Sequence, residues 1–121
     1  MAADTVLVVD DDADVREMLT ESLRAEGFAV ISADEGRKAL ELAESLRPAV
    51  ILLDLTMEGM DGRAFLEARR SRAAVARTPV IVITGAPDRT IQSDLQLPKP
   101  LALEEVVSAV RRLARPDRRT R

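Results

Sequence analysis

The 121-residue sequence contains no cysteine, histidine, tryptophan or tyrosine, and its only aromatic residues are Phe28 and Phe65. Without cysteine or histidine there is no disulfide, no thiol or imidazole catalysis and no ordinary zinc centre, so any metal must be held by oxygen. Without tryptophan or tyrosine the chain lacks the stacking platforms that grip single-stranded nucleic acid. The formal net charge of −3 gives no general attraction to phosphate backbones or anionic lipid. Direct nucleic-acid binding and membrane association are therefore not expected. The apolar runs are too short for a membrane span and none has the layout of a signal peptide, so a cytoplasmic domain is expected. Lysine is scarce too: of eighteen basic residues only Lys38 and Lys99 are lysines.

What is present is a regular alternation. Thr5 to Val9, Ala49 to Leu53 and Pro79 to Ile83 are Val/Ile/Leu-rich runs without polar alternation, as parallel strands covered on both faces require. Phe28 to Ser32 is a weaker fourth run, and Leu95 to Pro98 a short fifth. Between them lie helical patterns. Val15, Met18, Leu19 and Leu23 share one face, with Gly27 as the stop. Asp34 is placed to cap a helix carrying Ala39, Leu40, Ala43 and Leu46. Phe65 and Leu66 face inward in a shorter helix after Gly62, and Leu103, Val106, Val107 and Val110 make an amphipathic stripe in a final helix. Strand and helix in alternation mean right-handed crossovers and one doubly wound α/β domain over residues 1–114. The basic stretch 115–121 is expected to be a disordered tail.

In such sheets ligands gather beyond the carboxyl ends of the strands. The first strand ends on Asp10 and Asp11, the third on Asp54, the fourth on Thr84, and the last stretch delivers Lys99 followed by Pro100. Each has a plainer reading alone: the acidic run 10–12 as a helix N-terminal cluster, Thr84 as a strand-end residue, Lys99 as a solvated charge. For Asp12 and Asp14 the helix-terminal role is preferred. Together the others form a constellation. Clustered carboxylates repel and call for a cation. Magnesium combines one or two carboxylates with phosphate oxygens, and a carboxylate is a competent nucleophile toward phosphorus. Thr84 and Lys99 are then placed to bind the transferred oxygens, and a compact ammonium suits a single phosphoryl oxygen.

These segments resemble the receiver domain of bacterial two-component response regulators over roughly Asp4 to Ala114. The carrying pieces are "VLVVDDDADVREML", "ILLDLTMEGMDG", "PVIVITG" and "LPKPL". The resemblance implies a flavodoxin-like five-stranded sheet in order 2-1-3-4-5, a topology for which a member of this family is a standard example. It implies phosphorylation on Asp54 and switch roles for Thr84 and Lys99. It further implies magnesium held by Asp11, Asp54 and the main-chain carbonyl of Thr56, with Asp10 acting largely through water, and structural roles for Gly59 and Pro100. A histidine kinase or histidine phosphotransfer domain is the implied donor. The output partner is not specified, and a monomeric, non-enzymatic signalling domain is expected. Because Met1 stands close before the first strand, a receiver trailing a hybrid kinase is not expected.

Some features depart from the family. Glu58 stands where proline is usual, and Gln96 where an aromatic switch residue is usual. Only fourteen residues, Gly85 to Pro98, separate Thr84 from Lys99, whereas a helix, a strand and two loops need roughly twenty or more. The helix between the fourth and fifth strands is therefore expected to be shortened or missing. Two other functions compete. A phosphorylation-independent pseudo-receiver draws support from Gln96 and the short segment. A haloacid-dehalogenase-type phosphatase also uses an aspartate nucleophile, but there the nucleophile is on the first strand, and its acid/base position corresponds here to Thr56.

Overall fold

The computed structural model describes residues 4–57, 61–86, 90–91 and 93–114. Each apolar run forms a strand: β1 (Thr5–Val9), β2 (Ala29–Ala33), β3 (Val50–Asp54), β4 (Val80–Thr84) and β5 (Leu95–Pro98). The helices are α1 (Ala13–Ala25), α2 (Gly36–Leu46), α3 (Gly62–Arg70) and α4 (Leu103–Leu113). The five strands are parallel in order β2-β1-β3-β4-β5. This is the doubly wound sheet expected from the alternation.

The strands lack polar alternation because both faces are covered. Leu7, Val9, Ile51, Leu53, Val80 and Val82 point to one side, under α2 and α3. Val6, Val8, Val50, Leu52, Ile81 and Ile83 point to the other, under α1 and α4. Phe65, on the inner face of α3, is the largest of the fully buried side chains.

Helix ends follow local chemistry. Asp12 caps α1, its carboxylate accepting from the N–H groups of Asp14 and Val15, which is the role preferred for it above. Gly27 adopts φ +98°, a conformation open to glycine, and lets the Gly27 and Phe28 N–H groups return to the carbonyls of Arg24 and Leu23. One expectation is corrected. The cap of α2 is Glu35, whose carboxylate accepts from the Arg37 N–H at 2.7 Å; Asp34 falls one residue too early to meet the first turn. Gly62 opens α3 where a Cβ would stand 2.6 Å from the Cα of Leu55 and 2.8 Å from the Asp54 carbonyl. Any side chain there would push the helix off the tip of β3.

Among the described residues between β4 and β5 there is no helix, as the short spacing requires. The core beneath is closed by Val75, fully buried, and by Ile91 packed against the same cluster. Asp94 anchors entry into β5: its N–H donates to the Val80 carbonyl at 3.0 Å and its carboxylate accepts from the Val80 N–H at 2.8 Å. Glu58, Gly59 and the tail 115–121 lie outside the described residues. No helix among the described residues is long and apolar enough to cross a membrane.

Candidate functional site

Parallel pairing aligns the carboxyl ends of the strands. Val9, Asp10's neighbour, pairs with Leu53, Asp54 with Ile83, and Thr84 with Pro98. Asp10, Asp54 and Thr84 are the buried polar residues of the described chain, and they sit on three adjacent strand tips. Asp11 and Thr56 are exposed. Asp10, Asp11, Asp54, Thr56, Lys99 and Pro100 line a cleft of about 480 Å³, whose apolar wall includes Val15, Met18 and Leu101.

One carboxylate oxygen from each of Asp10, Asp11 and Asp54 lies within 4.8 Å of the others. A hard octahedral ion with ligands at about 2.1 Å spans about 4.2 Å between opposite ligands, so oxygens gathered this closely suit such an ion. The donor set is all oxygen, as the missing cysteine and histidine demand. The charge strain is visible in Asp10. Burial pushes its carboxyl up to about 6, the Asp54 and Asp11 charges add to the rise, and the Asp12 N–H and Lys99 oppose it.

Asp54 is held on one oxygen. Its Oδ1 accepts from Lys99 Nζ at 3.1 Å and from the Thr56 N–H at 3.2 Å, while Oδ2 has no hydrogen bond among the described residues. Lys99 thus fastens β5 to β3 across β4, and the peptide joining it to Pro100 is cis. Thr84 is turned toward its own loop. Its hydroxyl accepts from the Ala86 N–H at 3.0 Å and donates to the Ala86 carbonyl at 3.2 Å.

The expected residues Asp10, Asp11, Asp54, Thr56, Lys99 and Pro100 therefore share one cleft, and Thr84 stands at the next strand tip. Gly59 lies outside the described residues. Two neighbours carry little signal in the sequence. Met18, read as part of the buried face of α1, is 37% exposed and lines the cleft. Arg16 donates from Nη1 to the main-chain carbonyl of Asp10 at 2.7 Å.

The family profile of the response regulator receiver domain matches residues 6–111. The chain belongs to this family. It is 40% identical over 118 residues to response regulator MprA of Mycolicibacterium vanbaalenii, covering 91% of this chain and 50% of that protein. It is 38% identical over 120 residues to DNA-binding response regulator MtrA of Mycobacterium tuberculosis, covering 93% and 51%. The chain thus spans about half the length of the curated relatives it matches. Among solved structures it is similar to chemotaxis protein CheY4 of Vibrio cholerae, with TM-score 0.85, 29% identity and coverage of 93% and 99%. The receiver domain of Francisella response regulator 1452 also matches, with TM-score 0.85, 27% identity and coverage of 98% and 99%. The chain is a receiver domain of two-component signal transduction, and its fold is the CheY-like one.

Proposed function

We propose that this receiver domain accepts a phosphoryl group on Asp54 from a histidine kinase or histidine phosphotransfer domain, in a magnesium-dependent step, and thereby switches contact with an output protein or domain. The observation that carries this reading is the convergence of Asp10, Asp11 and Asp54 within 4.8 Å, with Lys99 on Asp54 at 3.1 Å.

A free carboxylate oxygen of Asp54 attacks phosphorus. The bond between phosphorus and the donor imidazole nitrogen breaks, and that nitrogen keeps the electron pair, leaving an acyl phosphate on Asp54. Asp10, Asp11, Asp54 and the Thr56 carbonyl would hold magnesium, which would supply positive charge against the transferring phosphoryl oxygens. Lys99 exchanges its contact with Asp54 Oδ1 for a phosphoryl oxygen, a donor already aimed where negative charge accumulates. Thr84 rotates from Ala86 to a second phosphoryl oxygen. That motion releases both hydrogen bonds that pin Ala86, so the loop after β4 is the element with two arrangements.

The domain has no turnover of its own in this reading beyond self-phosphorylation from small phosphodonors and loss of its own phosphoryl group. Incubation with acetyl phosphate and magnesium should add one phosphoryl group by intact mass. The gain should vanish in Asp54→Asn and on chelation of magnesium. An equal mass gain in Asp54→Asn would remove Asp54 from the chemistry, and steady release of phosphate from generic esters would favour a phosphatase.

A further inference from the structure

On the reading that Asp10, Asp11 and Asp54 hold a divalent cation, we propose that Arg16 is a positioning residue for the site, fixing the Asp10–Asp11 peptide and so aiming the Asp11 carboxylate. The three carboxylates differ in what secures them. Asp10 Oδ1 accepts from the Asp12 N–H at 2.9 Å, and Asp54 Oδ1 accepts from Lys99 and from the Thr56 N–H. The Asp11 side chain is exposed and has no hydrogen bond or ion pair among the described residues. Among the described residues, only its main chain restrains where that side chain starts.

Arg16 controls that main chain. It stands in the first turn of α1, where its own N–H donates to the Asp12 carbonyl at 3.0 Å. Its half-buried side chain folds back to the tip of β1 and donates to the Asp10 carbonyl at 2.7 Å. The Asp10 N–H is meanwhile committed to the Ala33 carbonyl at 3.1 Å. Because a peptide is planar, fixing the Asp10 carbonyl fixes the N–H and the N–Cα direction of Asp11. A guanidinium holds its donors in a rigid planar fork, which suits it to restraining a single carbonyl.

The sign of the effect separates positioning from charge. A permanent cation beside a cation site weakens metal binding by repulsion, so a purely electrostatic Arg16 would let its removal tighten binding. A positioning Arg16 makes removal weaken it. Outer-shell groups that orient metal ligands commonly change affinity by about 10-fold or more when lost.

The test is calorimetric titration of magnesium into the whole 121-residue chain, in wild type, Arg16→Gln, Arg16→Lys and Arg24→Gln. Arg24 is the control, since it also reaches from α1 to a main-chain carbonyl, that of Val30 at 3.3 Å, away from the carboxylates. Arg16→Gln should bind about 10-fold more weakly, Arg16→Lys should recover part of the loss, and Arg24→Gln should match wild type. In metal-free samples the Asp11 amide resonance should move in Arg16→Gln and stay in Arg24→Gln. If Arg16→Gln does not fold, Arg16→Lys decides, with weaker binding than wild type expected. Equal or tighter binding in the Arg16 variants, with wild type binding normally, overturns the positioning role alone. A wild-type chain that takes up no magnesium overturns the phosphoacceptor reading and this inference with it.

Discussion

Asp10 is where folding and the site pull in opposite directions. Its carboxyl is buried and pushed up to about 6 from 3.8. Between those values the folded chain holds a proton that the unfolded chain has released, so stability falls as pH rises from about 3.8 to about 6 and stays lower above it. The full cost approaches about 3 kcal/mol at neutral pH without metal. Asp10→Asn should remove it while keeping an oxygen for the Asp12 N–H. Urea unfolding without metal should show the variant more stable than wild type at pH 7 and nearly equal at pH 4. Added magnesium should narrow or reverse the gap at pH 7. A gap that widens as pH falls would contradict the burial argument. The places of Asp10, Asp11, Asp54, Thr84 and Lys99 at the strand tips could be read from sequence because the apolar runs end there. Arg16 could not, because one arginine among the exposed charges of α1 has no pattern to set it apart. Glu35 and Asp34 differ as caps only by where the first turn begins, which periodicity does not resolve.

The connection from β4 to β5 is the element whose length departs from the pattern expected of the family. Its length was legible by counting residues, and the described part has no helix. What closes the core there was not legible: Ile91 is a lone apolar residue with no period, and Asp94 works through a single pair of bonds to Val80. Short strands and exposed turns open locally at low free energy, and Gly85 and Ala86 are both exposed. The two bonds between Thr84 and Ala86 are therefore a local latch. Phosphorylation that draws Thr84 away should release it. Hydrogen exchange should change most at Ala86 and its described neighbours up to Gln96, and little in β1 or β3. In Asp54→Asn the same treatment should leave exchange unaltered. Protection unchanged near Ala86 in a fully phosphorylated sample would mean that the signal leaves by another surface.

At the scale of the whole molecule, the surface argues for a single chain in solution. The large exposed hydrophobic residues among the described ones are Met18 and Leu46. Met18 lies on α1, on one side of the sheet, and Leu46 lies on α2, on the other. Among the described residues these two therefore do not join into one apolar patch. Edge strand β5 has four residues and ends on Pro98, so it offers little ladder for a second copy to extend. Exposed α4 residues add charge: Glu104 and Glu105 in the first turn, Arg111 and Arg112 in the last, with Arg111 already paired to Glu26. Family members often dimerise through the helix, strand and helix at this edge; here the first of those helices is absent among the described residues. Light scattering should therefore report the monomer mass of 13.2 kDa both before and after phosphorylation, over concentrations well above those of ordinary signalling. The phosphorylated state should still be recognisable by its altered exchange near Ala86, which separates a switch without dimerisation from no switch. A mass that doubles on phosphorylation, and not in Asp54→Asn, would show that the remaining edge suffices for pairing.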